Sequence, residues 1–204
     1  PGSYVGLGST SFTLEVRCGT RLALLGFIVI AVSHRGDTPM RGKAYHRFGY
    51  GNMRDYPLAD DKYAIEQLAR RYSFINGKKV GIYGHSGGGF MAAAAICTYP
   101  DFYKAAVSCS GNHDNNIYNR GWGECYIGVK EVEKVVKDSL GNETKEYGYK
   151  FNVKPNTEIA KNLKGHLMLV TGDMDKNVNP AHTYRMAQAL IEAGKDFDML
   201  VIPG

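Results

Sequence analysis

The 204-residue sequence predicts an α/β protein: a mostly parallel sheet with helices on both faces. Three observations carry this expectation. Short apolar runs of five to eight residues alternate along the chain with helix-like stretches. The runs are continuously apolar, as strands covered on both sides are; a half-exposed strand would alternate. Glycine makes up 25 of the 204 residues, enough to supply many sharp turns between elements.

Taken in order, residues 26–33 (GFIVIAVS) are a β-branched run bounded by glycine and by His34-Arg35-Gly36-Asp37, a buried strand leading into a loop. The stretch to about residue 57 is rich in Gly, Arg and Tyr without periodicity and reads as loop. Residues 60–72 carry Tyr63, Ala64, Leu68 and Tyr72 at helical spacing, with Asp60 and Asp61 where the helix dipole favours anions. Residues 79–83 (KVGIY) are a short strand, 86–98 an Ala- and Gly-rich helix ended by Tyr99-Pro100, and 105–110 (AAVSCS) a strand. Residues 111–128 are polar and aromatic without a regular period. The highly charged residues 130–155 read as a surface excursion, part helix and part hairpin, so 1–204 is expected to be one partial domain. A short helix (157–163), a strand (166–171, HLMLVT), an amphipathic helix (180–193) and a last strand (197–202) complete the pattern. Pro180 suits the first turn of its helix and Gly194 the position just past its end.

Composition narrows the function. With 44% apolar and 22% charged residues, disorder, collagen and coiled coil are excluded. The longest apolar run, 22–32, is broken by Gly26 and is shorter than the ~20 residues of a membrane span, so none is expected here. A net charge of +5 without a basic tract makes nucleic acid a poor partner. The four cysteines, Cys18, Cys97, Cys109 and Cys125, lack metal-ligand spacing, and Cys97 and Cys109 sit in apolar stretches as small buried hydrophobes. His113-Asp114 has no sensibly spaced third ligand, so neither a metal nor another cofactor is expected. Pro1-Gly2-Ser3 carries no signal-peptide features and no initiator Met, and the chain is expected to be a piece of something longer.

In parallel sheets the chemistry sits at the carboxyl ends of the strands. There, between KVGIY and the Ala-rich helix, stands Gly84-His85-Ser86-Gly87-Gly88, the G-x-S-x-G pattern in the strand–turn–helix context of a nucleophile elbow. Ser86 is the candidate nucleophile, with the Gly87 N–H and the helix start facing a developing oxyanion. This is the signature of the α/β-hydrolase fold, on which the triad runs Ser, acid, His. The acid should follow strand HLMLVT, where Asp173 and Asp175 compete and Asp173 could instead brace the loop. The base is harder to place. Only His182 follows Asp175, and it reads as a polar helix residue. His85, next to the nucleophile, diverges from it; His166 is at the wrong end of its strand; His34 and His113 break the chain order. The sequence stops at the end of the last strand, where the loop bearing the histidine should begin.

The stretches KVGIYGHSGGGFMAAAA, YPDFYKAAVSCSGNHDNNIYNRGWGECYIG and LKGHLMLVTGDMDKNVNPAHTYRMAQALIEAGKDFDMLVIPG, with HRGDTPMRGKA upstream, resemble the catalytic domain of the prolyl oligopeptidase family of serine peptidases, and within it the dipeptidyl-peptidase-IV branch. The resemblance covers nearly the whole chain, least well at 130–155. It implies Ser86 as nucleophile and Asp175, in D-x-N-V, as triad acid. It places Asn177 on a substrate backbone carbonyl, Tyr118 and Trp122 as aromatic walls for a proline ring, and Val178 in the same pocket. Trp122 stands where Tyr is commoner, and Gly87 where the named peptidases carry Tyr. The family's oxyanion Tyr would fall just before the Pro1-Gly2 turn, and its β-propeller lies outside this chain. Cleavage after proline or a small residue is therefore expected, on a peptide substrate, by an enzyme that could form a homodimer. The resemblance favours a periplasmic or secreted setting over a cytoplasmic one. The 204 residues alone, without base or propeller, are expected to be inactive. Two other readings compete: a carboxylesterase or lipase, which would need an HGGG-type oxyanion loop that the sequence lacks, and a non-catalytic module on the same fold.

Overall fold

The computed structural model describes residues 19–36, 38–137 and 139–204. Cys18, Asp37 and the Pro1-Gly2 turn lie outside the described residues. Among the described residues a short helix, Gly19–Leu24, comes first. Then α1 (Asp55–Arg71) leads to β1 (Val80–His85), α2 (Gly87–Thr98) and β2 (Tyr103–Cys109). A hairpin, β3 (Val129–Lys137) and β4 (Glu143–Phe151), is followed by α3 (Asn156–Ile159), β5 (His166–Gly172), α4 (Ala181–Glu192) and β6 (Asp198–Ile202).

Four strands form one parallel sheet in the order β1-β2-β5-β6. At its carboxyl edge His85 is in register with Cys109, and Cys109 with Val170. The helix α2 is apolar all round because it is the centre of the core: Phe90 and the run from Ala92 to Cys97 are almost fully buried. The face it covers carries Leu167 and Leu169, both buried. Burying each such side chain contributes about 1.5–3 kcal/mol. In α4 the buried stripe is Met186, Ala187 and Leu190. Gly194, at φ 62°, ends that helix by donating to Ile191 O, and Lys195 N reaches Leu190 O.

Three expectations change. Residues 26–33 do not form a strand: no ladder is assigned to them, and Phe27 and Ile28 are 62% and 52% exposed. An apolar run becomes a strand only when a neighbour takes its N–H and C=O groups, and β1 is an edge strand paired with β2 alone among the described residues. The helix expected from residue 60 begins at Asp55, because Pro57 lies within its first turn, where a missing N–H costs nothing. Tyr63, expected on the packed face, is exposed, and the buried residues are Pro57 and Leu58. Among its described residues the excursion contains no helix; it is a two-stranded antiparallel ribbon from Val129↔Phe151 to Lys137↔Glu143. Cys97 is buried, with its thiol pushed up to about 12 by burial, Cys109 is half-buried and Cys125 exposed; all three are free thiols.

Candidate active site

Ser86 lies between β1 and α2 with φ 57° and ψ −121°, a conformation that L residues avoid. The surroundings hold it there. Its N–H donates to Cys109 O at 2.9 Å, and its carbonyl accepts from Phe90 N at 3.0 Å to open the helix. A Cβ on Gly84 would overlap the Gly88 backbone, approaching its Cα to 2.8 Å, so only glycine lets the strand end and the helix start pass this closely. A Cβ on Gly89 would collide with the Cys109 carbonyl. The second glycine of the pattern, Gly88, has open space where a Cβ would stand. Ser86 is half-buried, and Gly87 is the first helical residue, so its N–H belongs to the turn that has no intrahelical acceptors.

Beneath the elbow is a buried polar cluster that sequence reasoning missed. Ser108 Oγ donates to Gly89 O at 2.8 Å, and Asn156 Nδ2 donates to Phe90 O at 2.8 Å. His113 joins them: its Nδ1 is 3.1 Å from Asn156 Nδ2 and its Nε2 is 3.3 Å from Ser108 Oγ. The donors assign the tautomer. Asn156 supplies the proton to Nδ1, so Nε2–H donates to Ser108. Burial, with the nearby His182 charge, pushes the His113 imidazole down to about 3, so it stays neutral. Arg54 Nη1 donates to Asn156 Oδ1 at 3.2 Å and to Lys154 O, and Nε donates to Asp55. The cluster grips the first turn of α2 from below, joining β2, the 111–115 loop and α3 to it. The only sequence signal was His113-Asp114 after a strand.

The two aspartates after β5 do different work. Asp175 Oδ1 accepts from Asn177 N and Val178 N, both at 2.9 Å, which folds the loop around its own carboxylate. Asp173 Oδ1 accepts from Gly204 N at 3.0 Å and its N–H donates to Ile202 O, bracing β6. Ser86 and Asp175 thus follow the carboxyl ends of β1 and β5, on either side of β2. Their strands are about 10 Å apart at two ladder spacings.

Next to the acid loop lies an open cavity of about 650 Å³. Tyr118 and Trp122 meet edge to face with ring centroids 5.6 Å apart, and Tyr126 continues the wall from a π-helical turn, Gly123–Ile127. The Tyr118 hydroxyl donates to Asn177 Oδ1 at 3.1 Å, joining the aromatic wall to the acid loop and leaving Nδ2 as the end of Asn177 that can donate to a ligand. Val178, expected to line this cavity, is instead buried at 2% exposure and is not part of its lining: the turn around Asp175 takes it into the interior. Lys176, Cys125 and His182 line the cavity unforeseen. The sequence gives no signal for His182 beyond its place in the first turn of α4.

The sequence pattern of the prolyl oligopeptidase family matches residues 16–204. The chain belongs to this family. It is similar to human dipeptidyl peptidase 8, 29% identical over 89% of this chain and 19% of that protein. It is also similar to dipeptidyl peptidase family member 1 of Caenorhabditis elegans, 28% identical over 86% of this chain and 20% of that protein. The crystal structure of Porphyromonas gingivalis dipeptidyl peptidase 4 superposes with a TM-score of 0.67 at 21% identity, over 83% of this chain and 22% of that one, which shows the fold. The chain spans about a fifth of the length of these relatives.

None of the six histidines hydrogen-bonds Ser86 or Asp175 among the described residues. His34 Nε2 is held by Asp61 at 2.7 Å. His113 is locked in the buried cluster. His182 is 1% exposed, and its Nδ1 accepts from Asp114 N at 3.4 Å. Burial lowers its pKa, as does Arg185, against the opposing pull of Asp114. His166 opens β5 at the far edge, and His46 Nδ1 is buried without a partner.

Proposed function

We propose that the protein containing this chain is a serine peptidase that cleaves after proline or a small residue through an acyl-enzyme. The observation that carries the reading is the strained Ser86 at the junction of β1 and α2, with a family acid loop two strands away. Ser86 Oγ attacks the scissile carbonyl while a histidine takes its proton. In the chain order of this fold that base follows β6. Asp175 holds it in the productive tautomer, and the Gly87 N–H receives the oxyanion. Tyr118 and Trp122 form a slot for a flat five-membered ring, and Asn177 Nδ2 holds a backbone carbonyl. A non-catalytic role would leave the strain at Ser86 without a use. An esterase on the same fold would use the same nucleophile, so substrates must separate them.

The test is a fluorophosphonate probe on the full-length protein, followed by prolyl peptides against short esters. Ser86 takes the label, Ser86→Ala abolishes it, and prolyl peptides turn over faster than esters. Labelling that persists at another serine ends the reading; a preference for esters moves it to the second class.

A further inference from the structure

We propose that the cavity beside the acid loop selects peptides with an acidic residue immediately before the proline or small residue, and that Lys176 pairs with that carboxylate. This rests on the peptidase reading above, and goes beyond it by naming a second determinant of the substrate.

The cavity is too large for one ring. At about 650 Å³ it extends from the aromatic wall of Tyr118 and Trp122 to the acid loop, where its lining becomes polar. Position fixes which substrate residue meets that polar end. The scissile carbonyl sits at the Gly87 N–H, so the carbonyl that Asn177 holds belongs to the residue before. Lys176 lines the same cavity beside Asn177, within reach of the side chain of that residue.

Charge decides what it recognises. Lys176 is the one Lys or Arg among the described lining residues, and none of these is Asp or Glu. His182 is buried, which disfavours its charged form, and its Nδ1 is occupied by Asp114 N–H, so it offers no acceptor for a cation there. The carboxylates of the acid loop and of Asp114 are already engaged, and Glu124 of the π-helical turn is not in the lining. Asp114 is held by Arg185 and by Asn116, Asp175 by two backbone amides of its own loop, and Asp173 by Gly204 N. The described residues include no ion pair to Lys176, whereas Lys62, Lys137, Lys145, Lys154 and Lys164 each have a carboxylate partner. An anionic substrate side chain thus finds three free N–H donors on a flexible stem, and a cationic one finds a like charge and no acceptor carboxylate. Lys176 is exposed, so the preference is that of a solvated ion pair, about two- to fivefold, and high salt weakens it.

The experiment uses the full-length protein and three peptides ending in X-Pro before a chromogenic leaving group, with X as Glu, Gln or Lys. Glu and Gln have the same shape, so their ratio of kcat/KM reads charge alone. At low ionic strength the order is Glu above Gln above Lys. The Glu-to-Gln ratio falls toward one in high salt and in Lys176→Gln. Fluorophosphonate labelling of Ser86 reports an intact elbow in both proteins, independently of the cavity. A wild-type ratio at or below one, with labelling intact, overturns this inference and leaves the peptidase reading standing. A ratio that survives Lys176→Gln assigns the recognition to another group and overturns it too. Loss of labelling in the wild-type protein overturns both.

Discussion

The elbow after β1 and the acid loop after β5 occupy the same edge of the sheet and are built in opposite ways. The elbow is shaped from outside. Ser86 holds φ 57° because Gly84 and Gly89 admit the neighbouring backbones, Cys109 O takes its N–H, and the Ser108–His113–Asn156 cluster anchors the turn that follows. The acid loop shapes itself: one carboxylate oxygen of Asp175 gathers two amides of its own segment. A scaffolded turn stores strain that its neighbours offset, and its glycines are visible in a sequence. A self-capped loop needs only one side chain with an acceptor oxygen, so two aspartates two residues apart look equally able to serve.

The largest expected effect tests the second half of this contrast. Asp175→Asn retains Oδ1, which still accepts both amides, so the loop persists while the charge proposed to orient the base is lost. Turnover of the full-length protein should fall by roughly 10⁴, as for the equivalent change in chymotrypsin-like peptidases. Asp173→Asn is the matched control. It touches only Gly204 N and should change stability by no more than about 0.5 kcal/mol and leave turnover within a small factor. Steady-state kinetics on both variants decide it; a reversal of the two costs would exchange their roles.

The next effect belongs to the elbow. Gly84→Ala puts a Cβ into the Gly88 backbone, which cannot swing aside as a side chain could. Either the strand end or the helix start shifts. A displacement of this kind costs about 10²-fold in rate, with a further overpacking cost of about 1–3 kcal/mol in stability. Gly88→Ala, where a Cβ meets nothing, should be nearly silent in a fluorophosphonate labelling assay. Equal slowing by both would mean that the motif's glycines serve helix propensity rather than close approach.

The same contrast explains how far the sequence could be read. β1, α2, β2, β5 and α4 were legible because each combines an apolar period with a local stop, such as Tyr99-Pro100 or Gly194. Residues 26–33 carry as strong an apolar run as β1, yet only β1 has a ladder partner; pairing is a property of neighbours that no single segment encodes. Ser86 and Asp175 lie on the strand ends where order along the chain put them. The cluster under the elbow was illegible because Arg54, the Ser108–His113 pair and Asn156 are far apart in sequence and become one network only when β2 and α3 meet α2. The burial of Val178 was not legible because pattern matching assigns a position, whereas the turn around Asp175 sets which way its side chain goes.

The smallest effect asks whether the outside scaffold of the elbow is energetic or geometric. Asn156 is fully buried, donates to Phe90 O and His113 Nδ1, and accepts from Arg54. Asn156→Leu keeps the number and branching of the side-chain heavy atoms and removes all three bonds. Its backbone N–H still donates to His113 O, and Arg54 keeps Lys154 O and Asp55, so the loss falls mainly on His113 Nδ1, which no water-exposed path can satisfy. A buried acceptor left unpaired costs about 1–3 kcal/mol. Because His113 is neutral throughout the working range, this cost should not vary between neutral and mildly acidic pH. The Phe90 carbonyl remains in the helix, so the elbow should keep its shape and labelling of Ser86, measured well below the unfolding midpoint, should slow by less than about tenfold. Denaturant unfolding and labelling kinetics on the same sample separate the two quantities. A loss of labelling as large as that of Gly84→Ala, with stability little changed, would show that the cluster sets the position of Ser86 and that the glycines alone do not.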